Sequence, residues 1–219
     1  MIRRALLFLI LLGPCTTSLA QDSEEQARAL IKTYIERHNN HDLDGVMSLY
    51  AADAIFYLSM GRPPVLGRKA IEGLERFDVA ASSTIYPQDV SIEQDAGLWR
   101  VHIGGAIENS DIFAAAGVSI VMAQGIRNAF VLRDSRIIEV HQPELEVACT
   151  DTVLAAFRGA VAWLIERNDP RAEYLIENGF IKLTPATISA VVTLLREWRM
   201  SSASSADPKA VSACANFEL

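Results

Sequence analysis

The chain's four histidines are the first residues to weigh for chemistry. His38 and His41 stand beside Asp42 and Asp44, four metal-ligating side chains in one short stretch. The helix predicted there ends between the two histidines, so the four need not share a face. A histidine at a helix C-terminus also interacts well with the macrodipole, which is a simpler role for His38. No metal and no other cofactor is expected. His102 and His141 each fall in a strand pattern, where an imidazole turned into a pocket could shuttle a proton. The neighbours of His102, Arg100 and Gly104, suggest the outer face for it. Tyr34 lies on the apolar side of a helix. It is either a core tyrosine whose hydroxyl finds a backbone partner or a phenol donor facing a pocket. Asp53 is the one acid singled out as a substitute base. The chain shows no GxSxG, no HExxH, no phosphate-binding glycine loop and no dinucleotide fingerprint.

The elements that must position these groups follow from periodicity. Ser23-Glu24-Glu25-Gln26 reads as a capping box. Behind it Ala27, Leu30, Ile31, Tyr34 and Ile35 recur at helical spacing as far as Asn39-Asn40. Asp42 caps a second helix with Leu43, Val46, Met47 and Tyr50 on one face. Ala54 to Leu58 reads as a strand, Gly61-Arg62-Pro63-Pro64 as a turn, and Arg68 to Phe77 as a third helix with Ile71 and Leu74 inward. From Thr84 the period falls to two. Val90 and Ile92 lead through a turn at Gln94 to Gly97 into Trp99, Val101 and Ile103. A longer alternating segment, Ser119 to Arg133, carries Ile120, Met122, Ile126, Asn128, Phe130 and Leu132 on one face. Asp134-Ser135 turns it into a strand from Ile137 to His141. Helices followed by an antiparallel, meander-like sheet make an α+β domain.

Past Cys149 the pattern is helical. Leu154, Phe157, Val161, Leu164 and Ile165 form one stripe. A second helix starts at Asp169-Pro170 and stops at Asn178-Gly179, and a third starts at Thr184-Pro185 with Ile188, Val191 and Leu195 inward. The expected organisation is a signal peptide over 1–20, an α+β domain over 21–145, a helical extension over 146–200 and a loose tail over 201–219.

Composition bounds the function classes. Half of the 219 residues are apolar, and 20 Lys and Arg stand against 27 Asp and Glu, a formal charge of −7. That balance gives no phosphate-backbone footprint, so nucleic acid is not an expected partner. Arg3-Arg4, the apolar run Ala5 to Leu12 and the small-x-small site Ser18-Leu19-Ala20 have the order of a secretory signal peptide. An exported, periplasmic or extracellular protein is expected, with no membrane partner once the signal is gone. Pro14 before Cys15 argues against a lipidation site. Two cysteines, Cys149 and Cys214, then remain. Either they form one disulfide, which loop entropy would make worth roughly 4 kcal/mol, or they are separate thiols.

One resemblance ties these pieces together. Leu30-Ile31-Lys32-Thr33-Tyr34, His41-Asp42-Leu43-Asp44, Leu49-Tyr50-Ala51-Ala52-Asp53-Ala54 and Gly61-Arg62-Pro63-Pro64-Val65-Leu66-Gly67-Arg68 resemble, in order and spacing, the nuclear transport factor two-like superfamily. The nearest likeness is to SnoaL-like polyketide cyclases and ketosteroid isomerases, over about residues 23–142. The resemblance implies a cone, a bent antiparallel sheet wrapped around helices, with an apolar pocket inside. It implies Tyr34 and Asn128 as two donors to a carbonyl or enolate oxygen, the amide needing no raised pKa for that role. Phe56, Leu58, Met122 and Phe130 would line the same pocket. It also implies a loss, because Leu58 stands where the isomerases carry their proton-shuttling aspartate, and a leucine accepts no proton. The first functional expectation is therefore a module that binds a small apolar or aromatic molecule. The second is an enzyme of the same fold, a cyclase, dehydratase or isomerase working next to a carbonyl through another base. The third is an interaction protein, a homodimer through the outer face of the sheet.

Overall fold

A computed structural model describes residues 23–59, 62–117, 120–121, 127–143 and 147–202 of the chain. The predicted signal segment, Met122 and Cys214 lie outside the described residues. Of Cys149 only the backbone is described, so the proposed disulfide lies outside them too.

Helix α1 (Glu24–Asn39) starts on the expected capping box. The Ser23 hydroxyl accepts from the Gln26 N–H, and the Gln26 side chain accepts from the Ser23 N–H at 2.7 Å. Its i, i+4 row buries Ala27, Ile31, Tyr34 and His38. Asp42 caps α2 (Leu43–Met47), accepting from the Gly45 N–H. That helix is shorter than its pattern. Tyr50 does not continue it but opens strand β1 (Tyr50–Tyr57), paired with Ile137, so the strand begins four residues before the predicted Ala54. The ladder won over the helical spacing there.

β2 (Val65–Leu66) pairs antiparallel with β1 and leads into α3 (Arg68–Ala80), with Ile71 and Glu75 buried. β3 (Thr84–Tyr86) follows. β4 (Asp89–Asp95) and β5 (Leu98–Gly104) form a hairpin through Ala96-Gly97, both at positive φ as a two-residue turn of this type requires. β6 (Ile107–Asn109), α4 (Asp111–Ala116) and β7 (Ile120–Val121) precede β8 (Arg127–Arg133) and β9 (Arg136–His141). Helix α4 was not legible as a helix. It has only six residues, held by its Ser110 cap and a left-handed Gly117.

The main sheet has the order β2-β1-β9-β8-β5-β4. It is a large curved antiparallel sheet with one departure, since β1 runs parallel to β9. Cross-strand partners share a face. One face carries the rows Phe56, Val140, Phe130, Val101, Ile92 and Asn128, Ile103, Val90. This is the face that packs on α1, with the Tyr34 and Phe130 rings 5.0 Å apart. The opposite face carries Tyr57, His141, His102 and Ser91, with Glu139, Arg100 and Glu93 in the next row. β3, β6 and β7 form a separate three-stranded sheet. The α+β class read from the sequence is the observed one.

A second core joins the end of α3 to α4, α5 (Val147–Glu166) and α7 (Ile188–Ser202), with Ala160, Leu164, Val191, Leu194 and Leu195 fully buried. At Gly159 an added Cβ would lie 2.5 Å from the Trp198 ring, so α5 and α7 approach as closely as they do only because that position has no side chain. Two details differ from expectation. Ile165 is 58% exposed, because Leu164 beside it takes the inward position. The segment after Asp169-Pro170 is not one helix. α6 (Ala172–Leu175) gives way to a hairpin of β10 (Ile176–Glu177) and β11 (Phe180–Ile181), in which Asn178-Gly179, at positive φ, is the turn and not a helix stop. Among the described residues no helix is long and apolar enough to cross a membrane.

Candidate functional site

The polar groups that the fold buries meet at one end of α1 and α3. Tyr34 and His38 are one turn apart on α1, and Glu75 and Asp78 are one turn apart on α3, so each helix turns two of them to the same side. Glu75 is the hub. Its Oε1 accepts from the Tyr50 hydroxyl at 2.7 Å and from the Tyr34 hydroxyl at 3.1 Å. Its Oε2 lies 3.5 Å from Nδ1 of His38. His38 is 4% exposed, and its Nε2 is buried with no hydrogen-bond partner. Burial and the neighbouring Glu75 push both tyrosine hydroxyls well above the usual phenol range.

Two further carboxyls face this group from the side away from the tyrosines. Asp78 on α3 and Glu108 on β6 make no hydrogen bond or ion pair to another described residue, unlike Glu75. Burial raises the Asp78 carboxyl, Glu75 and Glu108 raise it further and His38 opposes them, which leaves it at about 7. Burial raises Glu108 as well, again against His38. Burial by itself would lower the His38 imidazole, but Glu75, Asp78 and Glu108 outweigh it and the net shift is upward. The three acids thus favour the protonated form of the ring.

Asp78 and Glu108 are exposed to a cavity of about 150 Å³. Its apolar wall is Phe77, Ala81, Ile112, Phe113, Phe157 and Leu183, and its polar wall is the two carboxyls with Ser83 and Ser110. Local hydrogen bonds fix this lining. The Ser83 N–H donates to the Asp78 carbonyl at 2.8 Å, the Asp111 N–H donates to the Ala81 carbonyl at 2.8 Å, and the Ser110 hydroxyl caps α4. The helical extension contributes to the site, because Phe157 belongs to α5 and Leu183 precedes α7.

One donor atom each from His38, Glu75 and Asp78 falls within 4.8 Å of the others, the spacing of a metal-ligating set. Its chemistry fits a cation poorly. Glu75 is already held by two tyrosine hydroxyls and the imidazole, which leaves its oxygens little capacity for a cation. We read the group as a proton-sharing cluster and assign it no metal.

The residues singled out from the sequence are distributed as follows. Tyr34 is inside, but its hydroxyl proton goes to Glu75. Asn128 is buried on the inner sheet face opposite Ile103, two residues from Phe130. Phe56 and Phe130 belong to the packed core between α1 and the sheet, with Leu58 half-buried against it. None of these five lines the cavity at Asp78. Asp53 is exposed on β1. His102 lies on the outer sheet face, 3.1 Å from Glu93. His141, on the same face, pairs with Glu139 at 2.8 Å and stacks on Tyr57. His41 contacts the Ser83 carbonyl at 3.1 Å and Asp42 caps its helix, so neither joins His38. Sequence reasoning passed over Glu75, Asp78 and Glu108. The first two carried a signal, acids at i+4 and i+7 from the inward Ile71. Glu108 carried none.

No family model matches the chain, and no curated protein matches it. Solved structures do. The epoxide hydrolase/cyclase-like enzyme SalBIII of pyran ring formation in salinomycin is 16% identical over 59% of this chain and 96% of its own, with a TM-score of 0.42. A protein of Sinorhizobium meliloti assigned as a polyketide cyclase is 18% identical over 52% of this chain and 92% of its own, with a TM-score of 0.40. A protein of Streptomyces avermitilis assigned as a dehydratase of the NTF2-like family is 17% identical over 56% and 96%, with a TM-score of 0.43. Likenesses this distant carry no argument about chemistry, which rests on the side chains above. The solved structures to which this chain is similar include proteins described as polyketide cyclases and as NTF2-like, the names of the superfamily that its sequence motifs resemble.

Proposed function

We propose that the protein binds a small, largely apolar organic molecule in the cavity between α3, β6, α4 and α5, where Asp78 is the ionisable group that meets it. One observation carries this reading: two carboxyls that hydrogen-bond no described residue, Asp78 and Glu108, face a space otherwise walled mainly by phenylalanine and aliphatic side chains. Carboxyls half-buried in a mainly apolar hollow are costly to ionise, and a ligand that pairs with them relieves that cost. The size of the cavity, about 150 Å³, fits a body of roughly benzene dimensions. The test is a fragment screen by NMR on the full chain. Resonances of Phe113 and Phe157 are expected to shift on binding, and Asp78→Asn to abolish the effect. Hits that ignore Asp78→Asn and perturb the Tyr34–Phe130 interior would overturn the assignment.

A catalytic version is favoured by a second observation. A carboxyl with a pKa of about 7, beside a second raised carboxyl and an imidazole that is also raised, is suited to general acid–base work. On this version the protein is a cyclase, dehydratase or isomerase acting next to a carbonyl, with Asp78 in the role that Leu58 cannot fill. Turnover of an enolisable ketone that disappears in Asp78→Asn supports it, and turnover unchanged in that variant removes it. The order Arg3-Arg4, apolar run, Ser18-Leu19-Ala20 further supports export to the periplasm or beyond. A mature protein beginning at Gln21 by mass spectrometry is the expected result.

A further inference from the structure

The charges around the cavity are lopsided. Asp78 from α3 and Glu108 from β6 line it, and Glu75 stands one turn behind Asp78 on α3. The basic group that faces these acids is His38 of α1, and its Nδ1 is turned to Glu75 at 3.5 Å. Among the described residues no lysine or arginine lines the cavity. Two arginines of the flanking helices are engaged elsewhere. Arg76 pairs with Glu72 on the outside of α3, and Arg199 of α7 reaches the Ala114 carbonyl at the far side of α4. The apolar wall supplies three phenyl rings, Phe77, Phe113 and Phe157. Aromatic faces attract cations and carboxylates pair with them, while both repel an anion.

We infer that the cavity selects a small organic ammonium, a primary or secondary amine on a short apolar body, over neutral or anionic molecules of the same shape. The inference rests on the reading that this cavity is the ligand site, and it names the class of ligand. Asp78 and Glu108 hold the ammonium N–H groups, and the phenyl rings hold the apolar body and the flank of the charge.

The proton balance follows. In the empty cavity near neutrality Asp78 keeps its proton in a substantial fraction of molecules. An ammonium pairs with the ionised form, so binding expels that proton to the buffer, and no bond to carbon changes. Affinity therefore rises with pH up to about 7 and levels off above it, until the amine itself deprotonates near 10. Glu75, Glu108 and His38 face Asp78 and set the midpoint, and the first two act in the same direction.

Three isosteric probes test this on the full chain by titration calorimetry: benzylamine, benzyl alcohol and benzoate. Benzylamine is expected to bind roughly tenfold or more tightly than the alcohol, with benzoate the weakest. Its affinity should rise between one pH unit below neutrality and one above. Repeating the titration in buffers of different ionisation enthalpy should reveal proton release. Asp78→Asn should erase the preference for the amine, and Glu108→Gln, a milder change on another element, should reduce it. Benzyl alcohol or benzoate binding as well as the amine would overturn the ammonium assignment and leave the cavity reading standing. Failure of all three to bind at millimolar concentration would overturn both.

Discussion

Glu75 and Asp78 are one turn apart on the same helix, yet one belongs to a closed region and the other to an open one. Around Glu75 the space is filled. Two tyrosine hydroxyls and an imidazole converge on a single carboxylate, while the Tyr34 ring meets Tyr50 edge to face and Phe130 at a tilt. Around Asp78 the polar partners run out and a cavity begins. The first region has the marks of scaffolding, a buried network in which both oxygens of the Glu75 carboxylate are engaged, with only His38 Nε2 left over among the described residues. The second has the marks of a binding site, two carboxyls that face a cavity walled by phenyl rings. Burial alone does not separate them, since both acids are shielded. Satisfaction of hydrogen bonds does.

The contrast is broken most directly by removing the hub. Glu75→Leu would strand two buried hydroxyls and a protonated imidazole at once, and the expected loss is about 3–5 kcal/mol. Urea unfolding of the full chain measures it. Glu75→Gln keeps an acceptor for the tyrosines and should cost visibly less. If Glu75→Leu costs under about 1 kcal/mol, the cluster is not the structural support it is taken to be here.

Asp78 should behave in the opposite sense, and pH reveals it. Its folded pKa, about 7, lies above the ordinary carboxylate value of 3.8, so the folded state holds a proton that the unfolded state has released. Stability from this group is full below pH 4 and is lost as pH rises towards 7. His38, also raised, adds a loss of the same sign as pH climbs through its folded value. Asp78→Asn removes the first component. The variant should be flatter than the wild type between pH 4 and 7 and more stable than it at pH 8, by roughly 1–3 kcal/mol. Chemical unfolding at several pH values checks this, and a variant less stable at pH 8 would place Asp78 in the scaffold with Glu75.

Much of the fold was legible in the sequence because it is written in local code. The capping box at Ser23, the Asp42 cap, the two-residue turns at Ala96-Gly97 and Asp134-Ser135 and the alternation of Val101, Ile103, Phe130 and Leu132 each specify geometry over a few residues. The site was not legible, for a physical reason. Its groups come from α1, α3 and β6, and their chemistry depends on which carboxyl gains partners after folding. Tyr34 illustrates the point. Its inward position could be read from helical spacing, but the recipient of its hydroxyl proton, Glu75, lies 41 positions away in the chain. The hairpin at Asn178-Gly179 shows the converse. The same dipeptide ends helices and turns strands, and tertiary packing chose between them.

Tyr34→Phe sharpens the comparison on a smaller scale. It deletes one hydrogen bond from a carboxylate that keeps Tyr50 and His38, and the phenyl ring still packs on Phe130. A loss of about 1 kcal/mol is expected, with ligand affinity at Asp78 nearly unchanged. A large fall in affinity would instead merge the two regions into one site and return Tyr34 to the role that the family resemblance implies.

The smallest effects are expected at the two remaining candidates. Asp53 is exposed, and His102 spans to Glu93 on the outer sheet face, a pair that solvent screens on its glutamate side. Exposed pairs of this kind contribute about 0–1 kcal/mol, so Asp53→Asn and His102→Ala should each shift stability by no more than about 0.5 kcal/mol. Neither should alter the pH dependence of ligand binding, because the sheet itself separates His102 from α1 and the cluster behind it. Calorimetry on the two variants makes this decisive. Loss of binding in His102→Ala would mean that a group on the opposite face of the sheet controls the ligand, and a cavity walled by α3, α4 and α5 could not then be the place where the chemistry happens.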